Sequence, residues 1–338
     1  MRKYRLGVAS LVHDHVWGEL RHWQAIEGVE IVAAADVNAP LRERMKSEYG
    51  VARTYSSWKE MIEQEDLDLL QAAAENNAGA EIVEAAASRG IHIVSEKPMA
   101  ARLIQADRML SAANQHGVQL LINWPNAWSP EILTMLRMIR EGAIGQPVYF
   151  KYRAAHNGPM EIGCSKYFYE WLYDGEKNGA GALMDYCCYS AAMNACLFGR
   201  PRRVQGMRAV FAKDYPLPDD NAIIVIQYDQ SFGVAEASWT QPVSYPSPNP
   251  ICNGMEGCLY LWHGGLWIQT PADKDARPVT PDPRPTYLSN GPRYLLHCIE
   301  TGAAIEGMCS PVVSRNAQEI LEAGLISADT GQTITLPL

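Results

Sequence analysis

Apolar positions in the first 125 residues fall into short solid runs, separated by stretches in which they recur every three or four residues. YRLGVASLV, VEIVAAAD, LDLLQAAA, HIVSE and VQLLIN read as five strands. Between them HVWGELRHWQAI, PLRERMKSEYG, GAEIVEAAASRG and ARLIQADRMLSAANQHG carry the helical period. This alternation predicts a doubly wound parallel sheet with helices on both faces, because a parallel crossover needs a helix to return the chain. Gly90 and Gly117 stand just past helical stretches, where a left-handed cap is expected.

From residue 126 the pattern changes. After one helix, PEILTMLRMIREGAIG, come longer β-like runs: VYFKYRAAH, RRVQGMRAVFA, AIIVIQYDQSFGVAEASW and GCLYLWHGGLWIQ. The last two turn back on themselves at Asp229 to Gly233 and at His263 to Gly265, which predicts hairpins and an open, mostly antiparallel sheet. Pro271 to Pro292 reads as a surface loop before two closing helices, YLLHCIETG and SRNAQEILEAGLISADTG. The expected division is 1–125 for the parallel α/β domain and 126–338 for a second α/β domain, with no internal repeat.

The length of 338 residues fits two domains, and 47% hydrophobic with 20% charged residues is the composition of a packed globular chain. A net charge of -9 argues against a nucleic-acid partner, which would need a basic face. No apolar run is long enough to span a membrane, and His13, Asp14 and His15 interrupt the first one too early for a signal peptide. A cytoplasmic location is expected. The eight cysteines contain no C-x-x-C pair, and in a reducing compartment they act as small hydrophobes.

A strand, a turn and a helix at the start of such a sheet mark the place for a dinucleotide. The glycine fingerprint is missing: Ser10, Leu11, Val12, His13, Asp14 and His15 fill its six positions. Asp36 ends the second strand 26 residues after Ser10, where a carboxylate accepts hydrogen bonds from an adenosine ribose. It would repel a 2'-phosphate, so NAD is favoured over NADP; the competing reading is a turn aspartate. Asn38 follows it in the same turn. His13 and His15 have no third ligand at metal-binding spacing, so no metal is expected and they read as polar residues of the turn.

Ser95-Glu96-Lys97-Pro98-Met99 closes the HIV strand, and E-K-P at that place resembles the Gfo/Idh/MocA oxidoreductase family. Asn76 in AENNAG stands where the family has a T-P-N turn. GAGALMDYCCY is similar to its G-G-G-x-L-x-D-x-x-x-H/Y, and EASW and SADTGQTITLPL are similar to its later strand and tail. The resemblance covers nearly the whole chain. It implies a Rossmann domain followed by a substrate domain whose sheet also makes an oligomer contact, in a homodimer or homotetramer. It further implies that Ser10, Leu11, Val12, His13, Asp36, Asn38, Asn76, Glu96 and Lys97 hold the cofactor, with Lys97 beside nicotinamide and substrate. The chain departs from the family in its glycine-free turn, which leaves the pose of the pyrophosphate open, and in lacking an arginine after the sixth strand.

The stretch LMDYCCYS draws attention to Cys187 and Cys188, but adjacent cysteines on a helix can neither pair nor converge on one ion. Asp185 and Tyr189, four apart, share a face. The resemblance pairs that face with Lys97. Family members similar to glucose-fructose oxidoreductase and dimeric dihydrodiol dehydrogenase carry tyrosine where others carry histidine. A nearby ammonium would lower the Tyr189 phenol from its ordinary value.

The expected activity is therefore an NAD-dependent oxidoreductase acting on a secondary alcohol or ketone of a sugar, cyclitol or glycoside. Tyr189 and Lys97 would exchange the proton and Asp185 would orient Lys97 or a neighbouring hydroxyl. Trp124, Asn126, His156 and Trp239 are expected to wall the substrate. Two alternatives stand beside this: cofactor-recycling glycoside cleavage by oxidation, elimination and reduction, and a non-catalytic dinucleotide sensor.

Overall fold

The computed structural model describes residues 3–243 and 246–338. Its first sheet contains β1 (Tyr4–Ala9), β2 (Val29–Ala35), β3 (Arg53–Tyr55), β4 (Leu69–Ala72), β5 (His92–Glu96) and β6 (Leu120–Asn123). All pair in parallel, in the order β3-β2-β1-β4-β5-β6. This is a Rossmann arrangement, and the crevice between β1 and β4 is where such sheets bind ligands. The crossovers contain α1 (Val16–Gln24), α2 (Ala39–Tyr49), α3 (Trp58–Gln64), α4 (Gly79–Ala87) and α5 (Leu103–His116). Every residue of β4 and β6 is buried, as helices on both faces require. Gly90 and Gly117 adopt positive φ of 74° and 64° at their helix ends, as expected.

β3 and α3 escape the periodicity reading, since a three-residue strand offers no period to detect.

The second sheet is built after α6 (Pro130–Arg140) from β7 (Pro147–Ala155), β8 (Arg203–Ala209), β9 (Asn221–Gln227), β10 (Phe232–Ser238), β11 (Ile251–Gly254), β12 (Gly257–Trp262), β13 (Gly265–Gln269), β14 (Arg277–Val279) and β15 (Ile334–Thr335). Its order is β14-β13-β12-β11-β7-β10-β9-β8-β15, antiparallel except for β7 with β10. Both expected hairpins form. His263 and Gly264, with φ of 50° and 76°, supply the two left-handed residues that a tight turn between twisted strands demands.

Between β7 and β8 lie α7 (Lys166–Leu172), α8 (Gly175–Asn178) and α9 (Ala182–Phe198); α10 (Gly291–Thr301) and α11 (Pro311–Thr330) close the chain. α9 packs on β7, β9 and β10 and is flanked by α11, which itself lies on β8, so α9 is apolar nearly all round. Cys187 and Cys188 are 0% exposed and serve as packing thiols there. α10 returns to the first sheet and packs against α1, β5 and β6. The other face of β8 to β10 leaves Met207, Ile223, Val225 and Phe232 exposed. No helix among the described residues is long and apolar enough to cross a membrane.

Candidate active site

The site gathers at the carboxyl end of β5. Lys97 follows the last strand residue, is 2% exposed, and donates from Nζ to Asp185 Oδ1 at 2.8 Å. A buried ammonium would ordinarily lose its proton. Burial is the largest single effect and depresses Lys97, but the adjacent Asp185 carboxylate, through its charge and its hydrogen bond, leads the neighbouring groups that together hold the amine charged, well above the usual lysine value. Nζ also lies 4.7 Å from the centroid of the Tyr189 ring.

The expected lowering of Tyr189 is not found. Burial pushes its phenol above the ordinary tyrosine value, and the Lys97 charge opposes without reversing this. The physical reason is burial, which outweighs the pull of the Lys97 ammonium, while the adjacent Asp185 carboxylate adds to the rise. Tyr189 is a neutral hydroxyl in this site, not a preformed phenolate.

Around it stand Tyr152, His156 and Tyr186, each partly exposed. Tyr186 and Tyr152 have ring centroids 5.9 Å and 6.3 Å from that of Tyr189. Burial raises both phenols. His156 accepts the Gly158 N–H at Nδ1 (2.8 Å), so in the neutral ring the proton sits on Nε2; burial lowers its pKa and keeps it neutral. Asn126 faces the Tyr152 phenol, and its buried Nδ2 makes no hydrogen bond of good geometry among the described residues. A buried donor with only this loose contact to a phenol suits a ligand hydroxyl. Cys164 reaches the same region, its thiol pushed up to about 11 by burial and by the carboxylates of Asp14 and Asp185.

Two expected wall residues are elsewhere. Trp124 is 1% exposed and donates to Ser314 Oγ, so it backs Tyr189 edge-on from the core. Trp239 is fully buried and packs on Tyr173. An aromatic beside a motif was a sugar-wall signal, and burial removes it. Tyr152 and Tyr186 were missed, for nothing in their spacing distinguishes them from core tyrosines.

Asp185 is placed by the glycines before it. A Cβ on Gly181 would sit 2.1 Å from the Asp219 carbonyl oxygen. That close approach lets the buried Asp219 carboxylate accept the Gly181 and Leu183 N–H groups and cap α9 from a distant loop. Gly181→Ala is expected to cost about 1–3 kcal/mol through overpacking, and to lower turnover by shifting Asp185 from Lys97. Thermal denaturation and steady-state rates measure the two effects, and an unchanged melting midpoint would refute this role of the glycine.

At the nucleotide end, a cavity of about 440 Å³ opens among Ser10, Val12, Asp36, Asn38, Trp58 and Lys177. Ser10 holds φ of 66°, a glycine-like conformation, where the fingerprint would place its first glycine. Asp36 stabilises it: Oδ2 accepts Ser10 Oγ (3.2 Å) and Leu11 N (2.7 Å), and Oδ1 accepts Asn38 N (2.7 Å) and Nδ2 (2.8 Å). The N–H groups of Ser10, Leu11, His13 and His15 are all engaged internally. Those of Val12 and Asp14 have no acceptor among the described residues.

Asn76 is buried away from this cavity and bonds Asn178 of α8 (2.8 Å). Ser165, just before α7, donates its N–H and Oγ to Asp14 at 2.7 and 2.6 Å, and Trp171 Nε1 donates to Val12 O at 3.5 Å. These contacts tie the segment around α7 across the nucleotide turn. His13 packs on Phe168, while His15 Nδ1 lies 3.1 Å from Glu96 Oε2. Glu96 is thus the third potential ligand that the sequence did not reveal.

Residues 14–124 match the oxidoreductase family described as Gfo/Idh/MocA, NAD-binding Rossmann fold, and residues 132–259 match the C-terminal domain of the same family. The chain belongs to the Gfo/Idh/MocA family. Within it, D-apiose dehydrogenase of Paraburkholderia graminis is 32% identical over 130 residues, 38% of this chain and 35% of that one. Levoglucosan dehydrogenase of Pseudarthrobacter phenanthrenivorans is 25% identical over 194 residues, 56% of this chain and 47% of that one. The match therefore spans about a third to a half of these relatives' length. A solved levoglucosan dehydrogenase in complex with NADH and levoglucosan has the same fold, with a TM-score of 0.80 at 19% identity over 100% of both chains.

Proposed function

We propose that this protein is an NAD-dependent oxidoreductase that interconverts a secondary alcohol and a ketone on a sugar, cyclitol or glycoside. The observation that carries the reading is the buried Lys97–Asp185 pair beside Tyr189 at the carboxyl edge of a Rossmann sheet. The cavity at Ser10 and Asp36, with Val12 and its unengaged N–H in the lining, fits a dinucleotide's ribose and diphosphate. When bound, the nicotinamide supplies or accepts the hydride. The Asp36 carboxylate disfavours a 2'-phosphate, so NAD is the preferred form; a ribose hydroxyl would take over one of the bonds now made by Ser10 Oγ or Asn38 Nδ2.

The chain's own part is proton handling and orientation. Lys97 stays charged and Tyr189 stays a phenol, so both can donate to a substrate oxygen; Asp185 fixes the ammonium. His156 Nε2–H and Asn126 Nδ2 are donors for neighbouring hydroxyls. Tyr189 in this role agrees with the tyrosine-bearing members of the family. The open face of β8 to β10 supports an oligomer contact.

The test is a panel of sugars, inositols and glycosides assayed for NADH formation, in parallel with NADP. Turnover of none, with no dinucleotide binding by calorimetry, overturns the reading. The Ser165–Asp14 and Trp171–Val12 bonds across the turn favour a second reading, cofactor retention with glycoside cleavage. Aglycone release without net NADH distinguishes it.

A further inference from the structure

His13 and His15, on the turn after β1, meet Glu96 at the end of β5, with one ligand-capable atom of each lying within 4.8 Å of the others. We propose that His13, His15 and Glu96 form a Zn²⁺ site whose occupation excludes the dinucleotide. Two histidines and one carboxylate are a donor set that zinc prefers, leaving a fourth position for water. In a tetrahedral site with bonds of about 2.0–2.1 Å, neighbouring ligand atoms are about 3.3 Å apart. The His15 Nδ1 to Glu96 Oε2 edge, at 3.1 Å, already has that length, so an ion can bridge the two atoms where they stand.

The surroundings support ligation. Asn123 Nδ2 donates to Glu96 Oε1 at 3.2 Å, orienting the carboxylate from behind as outer-shell groups of metal sites do. His13 is 1% exposed and held in place by the Phe168 and Trp171 rings packed on it, so its imidazole is already positioned toward the group. The His15 side chain is 37% exposed and gives an ion a way in. His13 now accepts the His15 N–H at 3.3 Å and faces the Lys97 carbonyl; zinc takes the place of one of these weak partners. The neighbouring Lys97 charge is compensated by Asp185 at 2.8 Å.

The exclusion rests on the reading that this turn and Glu96 border the cofactor. Zinc would then act as a reversible inhibitor of the proposed enzyme.

The experiment is calorimetric titration of the metal-free full chain with zinc chloride in chelator-free buffer. One ion per chain is expected, with affinity about tenfold or more weaker in His15→Ala, His15→Gln and Glu96→Gln; circular dichroism checks that the variants fold. Cobalt substitution should give the visible bands of a tetrahedral N/O site. The apparent Kd for NAD should rise in proportion to free zinc and recover with EDTA. Zinc binding unchanged in all three variants, a thiolate-to-cobalt charge-transfer band, or simultaneous saturation by zinc and NAD would overturn the proposal. Zinc binding without dinucleotide binding leaves the metal site standing and overturns the cofactor reading, whereas the reverse result overturns the metal site alone.

Discussion

Lys97→Met is expected to cut turnover by about 10²–10⁴-fold, the usual worth of a positioned proton donor, while dinucleotide binding remains measurable. It should also weaken the fold. Asp185 is 4% exposed, and removing its partner leaves a carboxylate buried without compensation, which costs about 3–5 kcal/mol. The two effects separate in the double variant Lys97→Met/Asp185→Leu. With both charges gone and the volume kept, denaturant unfolding should return close to the parent midpoint, and activity should not return. Full turnover in Lys97→Met would remove the lysine from the mechanism. A double variant as unstable as the single would show that the pair is not what Lys97 contributes to folding.

That pair shows what the amino-acid pattern could and could not reveal. Asp185 and Tyr189 were legible because α9 is long, begins after glycines and puts positions four apart on one face. Lys97 was legible through E-K-P at a strand end. Their electrostatic order was not, because it depends on which partner the ammonium chooses. Asp185 takes it at 2.8 Å, and on the phenol burial outweighs what the ammonium still contributes. Similar reasoning explains Asp36. Its place after β2 was visible, but four internal hydrogen bonds to Ser10, Leu11 and Asn38 come from the way a glycine-free turn is held in shape. A sequence does not show that a carboxylate's acceptor positions are engaged. Trp124 and Trp239 illustrate the opposite error, in which aromatic identity was read as a ligand wall although both rings are fully packed. Glu96 meets His15 across 81 residues, a distance at which ligand spacing in one dimension carries no signal.

Tyr189→Phe should lower turnover by about 10²–10⁴-fold, and its pH dependence distinguishes a proton donor from a packing residue. The phenol is raised by burial, with Lys97 opposing. A group whose pKa lies above the ordinary tyrosine value of about 10 is protonated throughout neutral and mildly alkaline pH. Ketone reduction, which needs the proton, should therefore be flat across that range and decline only at strongly alkaline pH. Alcohol oxidation needs the phenolate, present as a small fraction that grows tenfold per pH unit below the pKa, so its rate should climb with pH over the same range. In Tyr189→Phe both rates fall and the climb in oxidation disappears. If the variant keeps the parent's rates and slope, the proton passes through another group, and His156 is the one the geometry offers. It is partly exposed, neutral, and carries its N–H on Nε2, so His156→Gln would then inherit the loss.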